Sequence, residues 1–274
     1  MKTLNTYINE RLVLSKNKKS PHTLFPKSRE ELKEMIKSEI EKNGNECSLN
    51  HIDVSEITDF SHVFAKSKFN GNISDWDVSN AVNMASMFYN SSFTGENGDI
   101  SNWNVSNVEC MGEMFAFTKF KGDLSKWNVS KVEYMNAMFC MTLFDGDISN
   151  WDVSNVIDMH RMFWNSEFNG DISGWNVSNV TNMEGMFSRS KFNTDISNWD
   201  ASSVTTMGNM FNTSEFNGDI SKWDVSNVTN MAYMFEDAQF NGDISNWDVS
   251  NVTNMKNMFR YSPLQNNPPK WYKE

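Results

Sequence analysis

One stretch decides the fold: Phe168-Asn169-Gly170-Asp171-Ile172-Ser173-Gly174-Trp175-Asn176-Val177-Ser178-Asn179-Val180-Thr181-Asn182-Met183, and, three residues later, Met186-Phe187. Nearly all of the remaining chain is a copy of it, because Trp recurs every 24 residues. A fixed period of about 20 to 50 residues is typical of proteins in which each unit stacks on its neighbours. The tryptophans in register are Trp76, Trp103, Trp127, Trp151, Trp175, Trp199, Trp223, Trp247 and Trp271, with Glu96-Asn97-Gly98 inserted before Trp103.

The first half of each unit has the pattern of a short strand. Trp175 and Val177 alternate with polar residues, so both face one side of an extended segment. Asn169-Gly170 precedes them and suits a turn. We expect strands from successive units to pair in parallel.

The second half of each unit has the spacing of a short helix. Ser178 is a suitable N-cap, and Val180, Met183, Met186 and Phe187 would form one apolar stripe. The two halves together predict an α/β repeat solenoid, a leucine-rich-repeat-like stack of short parallel strands and short helices.

The two ends of the chain depart from the repeat and divide it into three regions. Residues 1–48 are predicted to hold a short helix and a basic linker within 1–20, then an amphipathic capping helix that begins at Ser28 and ends near Gly44. Residues 49–262 form the repeat region, with one degenerate and eight full units. Residues 263–274 contain Pro268 and Pro269, which disfavour another strand, and are predicted to be a second cap.

The repeat also carries a family resemblance. Ile172-Ser173-Gly174-Trp175-Asn176-Val177 has the L-x-x-L-x-L frame of leucine-rich repeats, and the whole unit resembles the short repeat of BspA-like proteins. The resemblance covers about residues 49–262. It implies a leucine-rich-repeat-type solenoid used in adhesion and protein binding, often on bacterial surfaces.

Charge and cysteine content exclude several classes of protein. The net charge is −11, and residues 1–46 hold 10 Lys/Arg against 7 Asp/Glu, which leaves 14 against 28 for the repeat region and tail. Such an acidic surface disfavours direct nucleic-acid binding and anionic membranes and favours a basic protein partner. The chain has three cysteines without a paired spacing, no signal-peptide pattern at Met1 and no apolar run of membrane length. We therefore predict a cytoplasmic protein without membrane insertion, monomeric or weakly oligomeric, with surface location implied by the resemblance alone.

Catalytic and metal chemistry find little support in the sequence. The four histidines, at positions 22, 51, 62 and 160, show no metal-binding spacing, so we predict no catalytic, cofactor or metal site. Asp or Asn recurs at the turn before each strand, mostly as Asp, as at Asp171, and after the tryptophans of the eight full units, as at Asp152. They could form a calcium ladder or an anionic docking strip, but we favour a role in accepting hydrogen bonds from turn N–H groups.

Candidate partner-binding residues are those that the repeat does not dictate. Large apolar side chains beside arginine have the composition of an interaction hot spot. Local packing between units would explain the same residues, and the sequence leaves both interpretations open. The candidates are Phe117, Met141, His160, Arg161, Trp164, Arg189 and Tyr233.

The sequence therefore favours a non-enzymatic, protein-binding repeat protein. A first alternative is an acidic decoy that mimics DNA and inhibits a nucleic-acid-binding or defence protein. A second alternative is a bacterial surface adhesin.

Overall fold

The computed structural model describes residues 22–273, so the short helix and basic linker predicted within 1–20 lie outside the described residues. Within the described range there is one α-helix, α1, Arg29–Asn43, and one 3-10 helix, Pro263–Asn266. The rest consists of turns and bends joined by isolated parallel β-bridges. We call one 24-residue circuit of the chain a layer.

The predicted α/β solenoid of short strands and short helices is wrong. Among residues 22–273 no strand forms, and α1 is the one α-helix and lies outside the repeats. Each layer from Cys110 onward instead contributes a single bridge residue, such as Asn182, which pairs with Asp158 before it and Thr206 after it. Further bridges near the start of the stack join Leu24 to Ile52 and Ser48 to Asn72. The chain is a stack of turn-rich layers.

The predicted strand fails because tight turns interrupt it. The N–H of Trp175 donates to the carbonyl of Ile172 at 3.1 Å, and the N–H of Val180 donates to Val177 at 2.9 Å. Each bond closes a four-residue turn, so no extended run survives between them. Trp175 and Val177 are nevertheless buried, as their alternation indicated.

The predicted helix fails because the backbone twice enters the left-handed region. Gly185 has φ 63° and Arg189 has φ 58°, and the equivalent residues of the other layers also have positive φ. A right-handed helix needs negative φ throughout. Ser178 is therefore not a helix cap; it lies in a turn, where Asn176 Oδ1 accepts a hydrogen bond from its N–H at 3.2 Å.

Hydrogen bonds between layers replace the helix. Alternate residues, Met183, Gly185, Phe187 and Arg189, donate their N–H groups to carbonyls of the next layer over 2.8–3.1 Å. The residues between them close turns within the layer, as Met186 does to Met183 at 3.2 Å. The backbone groups of this segment thus find partners without regular secondary structure.

Aromatic columns run through the centre of the stack. The Trp175 ring lies 6.5 Å from both Trp151 and Trp199, nearly parallel to each. Phe187 stacks 4.0 Å from Phe192 of its own layer. These rings belong to one continuous buried core that includes Leu32 and Ile36 of α1.

Both described ends of the stack keep contact with this core. Helix α1 begins as the sequence predicts, with the N–H of Glu31 donating to Ser28 Oγ at 3.2 Å, and Gly44 follows its last residue. At the other end, Trp271 donates to the carbonyl of Ile244 at 3.0 Å and stacks on Trp247. Neither helix of the described range is long and apolar enough to cross a membrane.

Candidate functional site

One face of the stack is formed by the segment that replaces the predicted helix. In the layer of Asn182 this segment is residues 184–189, and we call the surface formed by it and its equivalents the turn face. Its second and sixth residues have positive φ, which turns their side chains outward between the buried Met and Phe positions. The side chains of the turn face therefore vary without disturbing the core.

All seven predicted residues lie on the turn face, and six of them fall within four successive layers. Phe117, Met141 and Arg189 share the sixth position, and Arg161 shares the second position with Tyr233. His160 and Trp164 occupy the first and fifth positions of one layer. Tyr233 lies three layers beyond Arg161, beside Lys256, whose Nζ is 5.9 Å from its ring centre, so it belongs to a separate part of the face.

A groove of about 410 Å³ opens on the turn face between Tyr89 and Trp164. Small buried residues, Ala116, Ala137 and Cys140, pack together beneath it. The groove exists because Ala116 and Cys140 stand at the position where the flanking layers carry Tyr89 and Trp164. Two small residues between two aromatic rings leave a gap across two layers.

The first wall of the groove is an aromatic pair. Tyr89 meets Phe117 edge to face, with ring centroids 5.4 Å apart. Phe117 is 41% exposed, although it is a large apolar residue. Met141 is similarly exposed at 39%, but it does not line the groove.

The second wall is Trp164, which also borders a smaller depression of about 170 Å³. Arg161 lines both spaces, whereas Arg189 and Glu184 line the smaller one. The guanidinium carbon of Arg189 lies 5.7 Å from the centre of the Trp164 ring, a cation–π contact. Trp164 thus separates an apolar groove from a polar depression.

His160 borders the groove and is fixed by an acidic neighbour. Its Nδ1 lies 2.8 Å from Asp158 Oδ1, and this hydrogen bond raises the pKa of His160 above its usual range. Burial raises the pKa of Asp158, but the bonds from His160 outweigh it and the net shift is downward. The hydrogen bond therefore favours a protonated imidazole beside an ionised carboxylate, an ion pair without net charge.

Cys140 lies in the floor of the groove and is unreactive there. Burial raises the pKa of its thiol to about 11, with Arg161 opposing this shift. A thiol that stays protonated at neutral pH is a poor nucleophile. Cys140 therefore shapes the groove by its size.

The acidic columns lie at other turns of each layer and serve those turns. Asp171 Oδ1 accepts from the N–H of Ser173 at 2.9 Å, and Asp152 Oδ1 accepts from Ser154 at 3.1 Å. The backbone donor of Ser173 lowers the pKa of Asp171. These bonds agree with the turn role that the sequence favoured for both columns. Within residues 22–273 no three His, Cys, Asp or Glu side chains converge to hold a metal ion.

Sequence reasoning missed half of the groove. Tyr89, Glu113, Ala116 and Ala137 line it, and none of them was among the candidates. The available signal was the run of small residues, Ala116 and Cys140, at a position where neighbouring layers carry aromatic rings. A search for large side chains alone overlooks the small ones that make room beside them.

The fold and groove define a repeat protein built from stacked layers. The family model described as "Mycoplasma protein of unknown function, DUF285" matches residues 30–143, 116–215 and 188–273, which together span most of the chain. The chain belongs to this repeat family. No curated protein and no solved structure matches it significantly.

Proposed function

We propose that this chain is a non-enzymatic repeat protein that binds a protein partner through the groove between Tyr89 and Trp164. The observation that carries the proposal is the departure of the groove from the repeat. Phe117 remains 41% exposed where other layers place Asn90 or Asn165. An exposed aromatic next to unpaired arginine has the composition of binding hot spots.

The resemblance to BspA-like proteins supports the same proposal. That family's repeats are used in adhesion and protein binding, and the unit sequence resembles theirs even though strands of the leucine-rich-repeat type are not formed. A cytoplasmic or a surface location is compatible with this role. Fractionation of the native cell with an antibody against the chain decides between them, and surface exposure would favour the adhesin alternative.

A capture experiment tests the proposal with variants taken from the repeat itself. Phe117→Asn and Trp164→Ser each install the residue that another layer carries at that position, so the backbone remains compatible. We expect each substitution to weaken binding of the captured partner by roughly 1 to 3 kcal/mol, through a faster dissociation rate. The matched controls, Tyr261→Asn and Arg260→Ser, change the same two positions four to six layers away and should leave binding intact.

The acidic decoy is the second candidate, and a specific observation favours it. Backbone or hydroxyl donors lower the pKa of Asp147, Asp171, Asp195, Asp219 and Asp243, so one ionised carboxylate stands in each of five successive layers. A decoy would release its partner to competing duplex DNA, and its affinity would fall steeply with salt. If Trp164→Ser binds the partner as well as the wild type and duplex DNA competes for that partner, the decoy replaces the groove proposal.

A further inference from the structure

We infer that the groove and the adjoining depression together bind an extended peptide segment that carries an apolar side chain and an Asp or Glu side chain about three residues apart. This inference rests on the proposed function and specifies the chemistry of the partner. Three features of the turn face carry it: the apolar groove, the shared Trp164 wall and two arginines without an acidic partner.

The groove suits an apolar side chain. Its floor is formed by Ala116, Ala137 and Cys140, and its ends by the aromatic rings of Tyr89 and Trp164. A volume of about 410 Å³ lies within the usual range of ligand pockets, about 300 to 1,000 Å³. An aliphatic or aromatic side chain placed there would contact rings at both ends.

The arginines suit a carboxylate. Neither Arg161 nor Arg189 forms an ion pair within 4 Å across the described residues, and neither guanidinium donates a hydrogen bond there. Glu184 lines the same depression, and its charge helps to raise the pKa of His160. Arginine forms bidentate hydrogen bonds with carboxylates, so two free guanidinium groups favour an acidic side chain over a basic one.

Glu113 lines the groove but not the depression. Its Oε2 accepts a hydrogen bond from Ser86 Oγ at 3.1 Å. The lining of the depression holds two arginines, Arg161 and Arg189, against one glutamate, Glu184, so its formal charge is positive. The basic patch is local, because the repeat region as a whole is acidic.

The distance between the two spaces sets the spacing in the peptide. Cys140 lies in the floor of the groove, and Ser188 lines the depression two layers further on. Layers joined by parallel bridges are about 4.8 Å apart, which gives about 10 Å, or about three residues of an extended chain. The peptide would cross over Trp164 along the axis of the stack.

Display of random twelve-residue peptides on phage, selected against the full chain, tests the inference. We expect enriched peptides to share an apolar residue and an Asp or Glu two to four positions away. The strongest peptide would then be synthesised with a fluorophore, and its affinity measured by anisotropy for the wild type and for Trp164→Ser, Arg161→Asn and the control Arg260→Ser. Asn209 and Asn257 occupy the position of Arg161 in other layers, so Arg161→Asn keeps a residue suited to positive φ.

The expected result is an affinity lower by about tenfold or more in Trp164→Ser and Arg161→Asn, with Arg260→Ser unchanged. Replacing the acidic residue of the peptide by its amide should weaken binding to the wild type more than to Arg161→Asn, which keeps Arg189 alone. Equal urea midpoints for all four proteins would show that folding is unaffected. The inference is overturned by peptides without an acidic residue, by a basic consensus, by equal affinity of all variants, or by failure of any peptide to enrich.

The two proposals fail in different ways. If no peptide enriches but a captured protein is lost in Trp164→Ser, the peptide inference is refuted and the protein-binding proposal stands. If peptides enrich but bind Trp164→Ser as well as the wild type, the peptide inference is refuted, and the protein-binding proposal is refuted with it when the captured partner also binds Trp164→Ser unchanged.

Discussion

Trp175 donates a hydrogen bond from its indole Nε1 to the carbonyl oxygen of Ile148, 3.1 Å away in the preceding layer. The same bond recurs with each repeat tryptophan, from Trp76 to Leu49 through Trp271 to Ile244. The ring also stacks on the tryptophans of both neighbouring layers. One side chain therefore contributes both apolar burial and a polar link between layers.

Trp175→Ala should lower the free energy of unfolding by about 3 to 5 kcal/mol, because it leaves a cavity and removes one of the two hydrogen bonds that the Ile148 carbonyl accepts, the other coming from the N–H of Trp151. Trp175→Phe should cost less, since it keeps part of the ring stack. Trp271→Ala serves as the matched control at the end of the column, where the ring has one stacking neighbour, and should also cost less. Urea denaturation measures all three, and a wild-type midpoint for Trp175→Ala would contradict the buried column.

Thr213 should make the folded chain less stable than Asn would at the same position. It has φ 54°, a left-handed conformation that β-branched residues adopt at a cost of about 1 to 2 kcal/mol. Asn90 and Asn165 occupy the equivalent position, and Asn tolerates positive φ better. Thr213→Asn should therefore raise the unfolding free energy by about 0.5 to 1 kcal/mol, whereas Thr213→Val should bring no gain. Equal stability of the two variants would show that backbone strain is unimportant there.

An asparagine ladder on the surface should be transferable between layers. Asn179 Nδ2 donates to the carbonyl of Ser154 at 2.7 Å, and Asn155 and Asn227 make equivalent bonds. Ser203 stands at the same position and is too short to reach. Ser203→Asn should stabilise the chain by about 0.5 to 1.5 kcal/mol, and Asn179→Ser should cost a similar amount. Thermal unfolding of the reciprocal pair provides the test, and changes of the same sign would exclude the ladder.

The His160–Asp158 pair should make stability depend on pH. The folded pKa of His160 is raised above 6.5, so its contribution is fully present below that pH and is lost as pH rises through the folded value. Asn136 occupies the position of His160 in the preceding layer, which makes His160→Asn a suitable comparison. The stability difference between wild type and this variant should be larger at pH 5.5 than at pH 8, by less than about 1 kcal/mol for this half-exposed pair.

Asp158→Asn controls for the pair. The double variant Asp158→Asn/His160→Asn should show the same dependence of unfolding free energy on pH, between pH 5.5 and pH 8, as His160→Asn alone. Urea midpoints measured at both pH values suffice, and a difference that grows towards pH 8 would reverse the assignment.

The sequence predicts which side chains are buried far better than it predicts the backbone. Trp175, Val177, Met183 and Phe187 are all buried, as their spacing indicates. Their spacing does not reveal how the chain connects them, because a turn at Ile172–Trp175 places the same residues inward as a strand would. The positive φ of Arg189 was hidden because that residue type gives no signal for the left-handed region.

Residues of the candidate site could be predicted where the side chain is larger than the one that other layers carry at the same position. Phe117 and Trp164 stand out against Asn165 and Ser188, and both line the groove. Tyr233 stands out equally but lies three layers away from Arg161, because a side chain can break the pattern in any layer. A large side chain lines a groove only where the adjacent layers carry small residues at the same position. That can be seen by comparing stacked layers, not from one unit.

The three extra residues Glu96-Asn97-Gly98 indicate where this architecture tolerates added length. They lie between Phe93 and Ile100, and Trp103 still bonds to Ile73 at 3.2 Å and stacks 6.4 Å from Trp76. Asn97 Nδ2 fastens the insertion to the carbonyl of Asn70 at 3.0 Å, while the core columns keep their alignment. Because each doubling of a loop costs only about 0.6 kcal/mol, the same corner of any layer can be lengthened to carry a grafted loop. The stack can thus acquire new surface at its corners independently of the turn face.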